Sequence, residues 1–426
     1  QLEIQLYSEQ LKDAPLLRGG ELFGEKIYVD ARKGTPLTDI EPFIALKGRT
    51  VAEKLSGGGS VTFNASFLST DAGDVVIREG AEVDVSGGSI TYESGMIRES
   101  SLRYNGTLIP IAEATPDKIY QGTGETYSLT DKKWGVTRSW TLGSSPEGSF
   151  QQGYREGSNA GAVNISAGNA ALDGTFIANT DAGEFQRETA PVGGAFTLTL
   201  NSTIRVVQDA LKLPVEFAAD TALPDAQSGE SQLDVDLLRT GFTRLDVSSN
   251  SIIVDTPIET SPEGSVKLTG DGGVAIDADI TVPGGDISVS GGRVADGVTL
   301  STAGLWTNDT PGLAGALTAP VVLNGGTISM LGSVVLGQGS LLDADAGAWL
   351  TSGGKLSGGK GGNITLSGLT GLDEGQVQSY GFSKGGELIL STLQDVQVGG
   401  QQPVSGNAFW VPESRFGQGG FSKYAI

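Results

Sequence analysis

The feature that most constrains the fold is a pair of glycines followed by a short run that alternates apolar and polar residues. Its last four copies begin 41, 36 and 24 residues apart, which fits one or two coils of about twenty residues plus loops of variable length. Recurrence of this kind is typical of a solenoid, in which each repeat buries its apolar face by stacking on its neighbour. The copies are GGSITY (87–92), GGAFTL (193–198), GGDISV (284–289), GGTISM (325–330), GGNITL (361–366) and GGELIL (385–390).

Two further repeats support this interpretation. AGLWT (303–307) and AGAWL (346–350) lie 43 residues apart, the spacing expected of two coils of about 21 residues. GFTRLDV (241–247) is echoed by GFSKYAI (420–426). Between the glycine corners, short runs of period two are bounded by Gly, Asn, Asp and Pro, a pattern that predicts short strands with one buried face. We therefore predict an all-β chain that forms a parallel β-helix with inserted loops and a few short helices.

The densest glycine stretch, GGKGGNITL (358–366), could be either a ligand loop or a corner of this fold. As a phosphate loop it lacks the terminal Gly-Lys-Ser/Thr. As a calcium-binding nonapeptide it has Asn363 in place of the aspartate, and it has no tandem copy to share an ion. We predict a corner that leads into a strand, with Ile364 and Leu366 facing the core and Lys360 exposed.

The pattern divides the chain into coils and interruptions. Apolar spacing near 3.6 residues predicts short helices at 204–213 and 230–240, and a further helix is expected over 37–55. The predicted segments are a strand-rich entry segment with that helix (1–56), β-helix coils (57–96), an aromatic-rich insert (97–158), coils (159–202), a helical insert (203–240) and coils (241–426).

Composition excludes several classes of function. The net charge of -22 disfavours binding along a nucleic acid backbone or on anionic lipid. The absence of cysteine and histidine removes thiolate chemistry, the usual general base and the commonest zinc ligands. No apolar run approaches the roughly 18 residues of a membrane helix. The first residue, Gln1, is not an initiator methionine, so we expect a mature product or a piece of a longer protein.

Motifs that resemble catalytic sites are better explained as structure. GFSKG (381–385) matches a nucleophile elbow around Ser383, but a strand should follow it and no histidine is present. Ser352 with Lys355, and Ser357 with Lys360, match S-x-x-K without its partner motifs. We predict no catalytic residue, cofactor or metal ion.

Carboxylate pairs two residues apart leave an alternative open, because both side chains of such a pair share one face of a strand. They could hold a cation or act as an acid and base pair in glycoside hydrolysis, or they could simply be solvated. The pairs are Asp234 with Asp236, Asp277 with Asp279, and Asp343 with Asp345.

Aromatic residues concentrate in the insert at 97–158. Exposed rings could stack on sugars, whereas buried rings would form the core of a small lobe, and the sequence leaves both open. The residues considered for recognition are Tyr104, Tyr120, Tyr127, Trp134, Trp140 and Tyr154.

Several stretches together resemble the filamentous haemagglutinin-like large exoproteins of Gram-negative bacteria. This resemblance implies a right-handed parallel β-helix that is secreted or held at the cell surface, and export through an outer-membrane transporter barrel by two-partner secretion. The Asn-Pro signatures of the family's secretion domain are absent, so we expect an internal section of a longer exoprotein. The resemblance transfers no catalytic residue. The stretches are RGGELFGEKIYVDARKGTPL (18–37), DVVIREGAEVDVSGGSITYESG (74–95), DKKWGVTRSW (131–140), AGAVNISAGNAALDGTFIA (160–178), LSTAGLWTND (300–309) and RFGQGGFSKYAI (415–426).

Together these observations predict a non-enzymatic adhesin, filament or stalk that binds a host, neighbour-cell or glycan receptor. One alternative is a structural sheath or fibre subunit that stacks head to tail. Another is a polysaccharide-binding or polysaccharide-degrading β-helix protein. No nucleic acid partner and no membrane insertion are expected.

Overall fold

The computed structural model describes residues 1–7, 11, 15–45, 50–65, 72–124, 126–141, 148–218, 221–225, 227–312, 319–369, 375–403 and 408–426. Strands account for 42% of the chain and helices for 7%, so the predicted all-β class is confirmed. None of the described helices is long and apolar enough to span a membrane.

The strands are short, as the spacing of glycine and asparagine corners predicts. The first thirteen are β1 (Leu2–Gln5), β2 (Lys26–Val29), β3 (Ser60–Asn64), β4 (Val75–Ile77), β5 (Glu82–Asp84), β6 (Ser89–Tyr92), β7 (Gly95–Ile97), β8 (Ser101–Tyr104), β9 (Thr107–Pro110), β10 (Thr126–Thr130), β11 (Thr137–Thr141), β12 (Ser149–Gln151) and β13 (Tyr154–Gly157). The next twelve are β14 (Ala162–Ala167), β15 (Ala170–Leu172), β16 (Thr175–Ile177), β17 (Gly194–Leu200), β18 (Thr203–Val207), β19 (Glu230–Asp234), β20 (Phe242–Ser249), β21 (Ile252–Val254), β22 (Ile258–Glu259), β23 (Ser265–Ile276), β24 (Ile280–Thr281) and β25 (Asp286–Val294). The last thirteen are β26 (Thr299–Ser301), β27 (Trp306–Asn308), β28 (Thr327–Leu331), β29 (Val335–Leu336), β30 (Leu341–Asp343), β31 (Ala348–Leu350), β32 (Leu356–Gly358), β33 (Asn363–Ser367), β34 (Gln376–Gln378), β35 (Glu387–Ser391), β36 (Asp395–Val398), β37 (Ala408–Val411) and β38 (Lys423–Ala425).

Helices are few and short. The α-helices are α1 (Glu41–Ala45) and α2 (Val51–Lys54), and the 3-10 helices are Pro15–Leu17, Ile111–Glu113, Val235–Thr240 and Glu413–Gly417. At α2, Thr50 accepts from the Glu53 backbone N–H while the Glu53 side chain accepts from the Thr50 backbone N–H, which makes a capping box. Both α-helices lie within 37–55, where the sequence predicts a helix. Residues 46–49, between them, lie outside the described residues.

The chain forms two compact units. Unit 1 comprises residues 1–56 and 90–155, and unit 2 comprises residues 57–89 and 156–426. Unit 1 is built from antiparallel pairs, β1 with β2, β8 with β9, β10 with β11 and β7 with β12. Its core is a cluster of buried side chains that includes Ile4, Ile27, Leu102, Ile111 and Tyr120.

Unit 2 is dominated by a parallel sheet. Its main path runs β3-β14-β17-β20-β23-β25-β28-β33-β35-β38, so strands distant in sequence become neighbours in one ladder. A second sheet has the order β22-β24-β26-β30-β34, and a third has the order β27-β31-β32. In the third sheet β27 and β31 are parallel, whereas β32 turns back and pairs antiparallel to β31.

The main sheet holds its register through a column of inward side chains. Each residue of the column lies directly opposite the next one on the adjacent strand, and all are at most 2% exposed. Burying each such side chain stabilises the fold by about 1.5–3 kcal/mol, so the stack gains stability strand by strand. The column is Val163, Phe196, Leu245, Val266, Ile287, Ile328, Ile364 and Leu388.

Five of the six glycine pairs, at 193–194, 284–285, 325–326, 361–362 and 385–386, lie where strands enter this sheet, and the pair at 87–88 precedes β6, which pairs with β13 instead. A Cβ at Gly326 would overlap the carbonyl oxygen of Gly285, and one at Gly362 would overlap that of Gly326. Glycine is therefore required here by the distance between neighbouring segments of backbone. The predicted corner at 358–366 is confirmed: Ile364 and Leu366 are buried and Lys360 is exposed.

Two expectations about local structure are wrong. Residues 204–213 do not form a helix, because Thr203–Val207 is a strand whose Ile204 and Val206 are buried between paired strands on both sides. In 230–240 a strand, Glu230–Asp234, precedes the 3-10 helix, which ends at Gly241 in the left-handed region. Along these segments the paired strands satisfy the backbone hydrogen-bonding groups. These pairings decide for a strand, although the apolar spacing also fits a helix.

The spacing of the repeats also differs from expectation. Ile287 pairs directly with Ile328, and Trp306 pairs directly with Ala348, so distances of about forty residues correspond to one step of the sheet. The additional residues lie in excursions such as the hairpin that joins β31 to β32. The two coils predicted between AGLWT and AGAWL are therefore replaced by one longer step, and the step from Ile287 to Ile328 corresponds to the predicted alternative of one coil with a loop.

Candidate functional site

The carboxylate pair Asp234 and Asp236 is committed to structure. Asp234 accepts from the backbone N–H of Asp236 at 2.9 Å and from that of Ala210 at 3.2 Å, which caps the 3-10 helix. Asp236 forms an ion pair of 2.7 Å with Arg239. Both carboxylates therefore already have partners that explain their presence.

The second pair is occupied in the same way. Asp277 forms an ion pair of 2.9 Å with Arg293, and Asp279 accepts from the backbone N–H of Thr299 at 2.7 Å. Among the residues described, no group of three or more acidic side chains is arranged to hold a metal ion. The carboxylates act here as acceptors that hold neighbouring turns together.

The third pair contains the carboxyl with the clearest perturbation. Asp345 accepts from the backbone N–H of Tyr380 at 2.6 Å and from the Gln378 side-chain amide at 3.1 Å, while Asp343 accepts from the Asp345 backbone N–H at 3.0 Å. Burial raises the pKa of the Asp345 carboxyl above its ordinary value, the Tyr380 hydrogen bond opposes this, and the neighbouring Asp343 charge adds to it. Since the folded pKa is raised, ionisation of Asp345 works against folding.

We expect carboxyl-selective NMR titration to give Asp345 a pKa above that of an ordinary aspartate. Because burial is the largest cause, Asp343→Asn should lower the Asp345 pKa only in part. The contribution of the Asp345 carboxyl to the stability of the parent protein should fall as the pH rises from the ordinary aspartate pKa to the raised pKa. Asp84 is the control, since hydrogen bonds from Ser86 lower its pKa. An Asp345 pKa at or below that of Asp84 would contradict this assignment.

The serine motifs lie at corners of the sheet. The residues after Ser383 lead through Gly385 and Gly386 into the strand β35, so the helix that a nucleophile elbow needs is absent at this place. The backbone N–H of Ser383 donates to the Gly359 carbonyl at 3.4 Å, which joins two neighbouring corners. The corner interpretation of GFSKG is therefore confirmed.

Two of the six aromatic residues considered for recognition contribute to the interior of unit 1. Tyr120 is 1% exposed, and its hydroxyl donates to the Thr115 carbonyl at 3.0 Å. Tyr104 packs near it, with ring centroids 6.0 Å apart, and carries the Lys118 ammonium over its ring at 5.6 Å. For Tyr120, the alternative of a lobe core is the correct one.

Tyr154 belongs to a polar cluster around Arg32. The Arg32 guanidinium forms an ion pair of 2.6 Å with the buried Asp30, donates to the Tyr154 hydroxyl at 2.9 Å and lies over the rings of Tyr92 and Tyr154. The pKa of the Asp30 carboxyl lies below its ordinary value. Burial is the largest single cause and raises this pKa, but the hydrogen bonds and the charge of Arg32 together outweigh burial. This network joins distant segments within unit 1 and has its donors and acceptors paired.

The remaining three residues belong to the hairpin β10–β11. Trp134, in its turn, is 71% exposed, with the Lys133 ammonium over the ring at 5.2 Å. Tyr127 and Trp140 are direct cross-strand partners, and their side chains lie outside the described residues. Of the predicted set, Trp134 is therefore the ring that the structure places in solvent.

Unit 2 has a groove of about 860 Å³ lined by five prolines and by charges of both signs. The loop along one side is fixed by Arg187, which donates two hydrogen bonds to Asp309, at 2.9 and 3.0 Å, and two to the Ala319 carbonyl, at 2.8 and 3.1 Å. Asp309 is 2% exposed and also accepts from the indole N–H of Trp349 at 2.9 Å. This ion pair is a structural link between distant loops.

A second group of exposed apolar residues, which the sequence did not indicate, lies on the third sheet. Trp306 on β27 is 60% exposed and pairs with Ala348, which pairs with Gly358 on β32. A Cβ at Gly358 would overlap the Phe382 side chain, so that side chain lies on the same face as Trp306. Leu356, two residues before Gly358, shares this face and is 51% exposed. We call Trp306, Leu356 and Phe382 the aromatic face.

Register explains why the sequence repeat conceals this face. AGLWT and AGAWL align Trp306 with Trp349, but the sheet pairs Trp349 with Thr307. A shift of one residue sends the two tryptophans to opposite faces. Trp306 is thus exposed, whereas Trp349 reaches the buried Asp309.

Three lysines adjoin the aromatic face in the chain. Lys355 immediately precedes Leu356, Lys360 follows β32, and Lys384 lies two residues beyond Phe382. Lys360 and Lys384 are partners in a parallel bridge and line a corner groove of about 310 Å³. None of the three forms an ion pair with another residue that the structure describes. We call Lys355, Lys360 and Lys384 the lysine group.

Comparison with known proteins identifies no relative: no family model, no curated protein and no solved structure matches the chain. Function must therefore be argued from the geometry and chemistry of these surfaces.

Proposed function

We propose that the parallel sheets of unit 2 are the faces of a right-handed parallel β-helix, and that the chain is a segment of a secreted or cell-surface exoprotein that acts as a non-enzymatic adhesin, filament or stalk. The observation that supports this most is the ladder of ten strands, in which a column of eight buried side chains is paired strand by strand from β14 to β35. Each added strand advances such a stack by about 4.8 Å. A stack of this kind suits a rigid spacer that carries contact surfaces.

Two observations support a role in contact rather than in catalysis. The three carboxylate pairs are used as turn acceptors and ion-pair partners. Exposed apolar side chains, by contrast, lie next to each other in the hairpin turn, at Trp134 and Val136, and on the aromatic face. We propose a host, neighbour-cell or glycan receptor as the partner of one of these surfaces, and an outer-membrane transporter barrel as the partner in export.

The location is tested by labelling cells of the source organism with antibodies raised against residues 1–426. We expect labelling of intact cells or recovery from the medium, and loss of both when the gene for the outer-membrane transporter is deleted. Labelling only after lysis, in the parent and the deletion strain alike, would overturn the proposal. An antibody against a cytoplasmic protein of the same cells is the matched control for leakage.

A further inference from the structure

We propose that unit 2 contains a binding site for a small organic cation, an amine attached to an aromatic ring. The site is a cavity of about 280 Å³ that is lined by residues of β15, β16 and β19, by the 3-10 helix Val235–Thr240 and by the loop at 210–212. We call it the amine cavity. This inference goes beyond the contact role proposed above and does not depend on it.

The first step of the argument is the size of the amine cavity. A cavity of about 150 Å³ is enough for one benzene ring. At about 280 Å³, the amine cavity has room for one ring and a short chain. The volume therefore fits a small molecule and is too small for a polymer or a folded partner.

The second step is the apolar part of the wall. Leu172 and Leu237 are partly buried, and Leu211 is 51% exposed. Phe176, which also lines the cavity, is 6% exposed and packs edge-to-face on Phe196 with ring centroids 5.3 Å apart. An aromatic ring in the cavity would cover apolar surface that contacts water in the free protein, which favours binding.

The third step is that the wall is formed before any ligand binds. The Gln232 side chain accepts from the Leu211 backbone N–H at 2.9 Å, and the Gln227 amide donates to the Leu211 carbonyl at 2.8 Å. Gln227 is 4% exposed, so water has little access to this hydrogen bond. Asp234 accepts from the Ala210 backbone N–H at 3.2 Å. A loop held in this way loses little entropy on binding.

The fourth step is charge. Asp173 accepts from the backbone N–H of Leu213 at 2.9 Å, and Asp234 accepts from two backbone N–H groups. These donors are neutral, so the negative charge of both carboxylates is not compensated by them. Each carboxylate has sites for about four donors, so both can also accept from an ammonium group. We call Asp173 and Asp234 the cavity aspartates.

The neighbouring cations belong to other ion pairs. Lys212 pairs with Glu79 at 3.1 Å, and Arg239 pairs with Asp236 at 2.7 Å. The pKa of the Lys212 ammonium lies above its ordinary value, chiefly because of its hydrogen bond to Glu79, and the charges of the cavity aspartates add to this effect. Each ion pair is neutral as a whole, so the charge of the cavity aspartates remains to attract a further cation.

The fifth step separates an amine from other small ligands. An anion would be repelled by the cavity aspartates and by the net charge of -22. Among the residues that the structure describes, no group of three or more acidic side chains is arranged to hold a metal ion. A neutral aromatic molecule would cover the apolar wall without pairing with a carboxylate. An amine with an aromatic ring does both.

The test is isothermal titration calorimetry of the purified full chain with phenethylamine. Phenylethanol has the same ring without the charge, phenylacetate has the ring with the opposite charge, and butylamine has the charge without the ring. We expect saturable binding of phenethylamine that is about tenfold or more tighter than binding of each control compound.

Leucine-methyl NMR of the same chain locates the bound ring. The largest shifts should occur at Leu172, Leu211 and Leu237, which line the amine cavity. Leu356, on the aromatic face, is the matched control because it is also 51% exposed, and its methyl signals should not move. Shifts that are largest outside the amine cavity would contradict the proposed site.

Two variants test the site independently. Asp173→Asn keeps an oxygen that accepts from Leu213 but removes the charge, so it should weaken phenethylamine binding about fivefold. Ala210→Phe places a ring in the cavity and should abolish binding. Asp246→Asn is the matched control: Asp246 pairs with Lys267 on the main sheet, and its substitution changes the net charge equally. Circular dichroism checks that each variant is folded.

Three further results would overturn the inference. These are no saturable binding of phenethylamine, binding of phenylethanol or phenylacetate as tight as that of phenethylamine, and unchanged binding in Asp173→Asn. If Ala210→Phe does not fold, Asp173→Asn and the methyl shifts decide the question. Because these assays use purified protein, they leave the surface location untouched, and antibody labelling of cells tests that location separately.

Discussion

Gly362→Ala is expected to lower the free energy of unfolding of unit 2 by about 3 kcal/mol or more. Gly362 lies between neighbouring strands of the main sheet, and its Cβ would overlap the carbonyl oxygen of Gly326. That oxygen accepts from the backbone N–H of Asn363 at 3.0 Å, so it cannot move away without loss of a ladder hydrogen bond. The new methyl group must therefore push the strands β28 and β33 apart.

Hydrogen-exchange mass spectrometry measures this effect locally, because it reports the protection of individual strands. Protection of β28 and β33 should fall most. Gly59→Ala is the matched control: Gly59 is exposed, and no heavy atom lies within 4 Å of its Cβ position. Its effect should stay within about 0.5 kcal/mol. Equal protection in the two variants would contradict the close approach at Gly362.

Asp309→Ala is expected to destabilise unit 2 by about 3–5 kcal/mol. Arg187 and Asp309 are 16% and 2% exposed, so the substitution leaves a guanidinium with little access to water and no counter-ion at this position. It also removes the acceptor of the Trp349 indole N–H. Loss of a buried partner is costly because desolvation of the remaining charge is no longer offset.

Urea unfolding of the purified chain measures this loss. Replacing both partners, with Arg187→Met and Asp309→Leu, should recover much of the stability, because neither charge is then buried alone. Glu79→Ala, at the exposed ion pair of Glu79 with Lys212, is the matched control and should change stability by less than about 1 kcal/mol. A loss at Asp309 no larger than at Glu79 would show that the pair is solvated.

The sequence predicts the strands and corners well because both depend on local rules. Paired glycines mark close backbone approach, and alternation places Ile364 and Leu366 in the core. The sequence cannot predict how many residues make one step of the sheet, since the excursions between strands have no fixed length. The helix expected at 204–213 fails for a related reason: the apolar residues of this run as a whole fit a period of 3.6, those of 203–207 alone fit a period of two, and distant partners decide between the two.

Sites are harder to predict because they depend on register and on contacts between distant residues. Tyr120 and Trp134 lie in one aromatic-rich segment, yet one is buried and the other is exposed. Phe382 and Gly358 are brought together only when the chain returns one step later along the stack. A shift of one residue separates Trp306 from its repeat partner Trp349. Composition alone contains none of this information.

The unequal steps of the main sheet have a consequence for how such a chain can change. Steps of 41, 36 and 24 residues join Ile287 to Ile328, Ile328 to Ile364 and Ile364 to Leu388 within the same ladder. The number of residues between paired strands is thus independent of the strand spacing of the sheet, so insertions in the excursions leave that spacing unaltered. The hairpin between β31 and β32 is accordingly a natural grafting point, where new epitopes could be exchanged while the ladder beneath them stays the same.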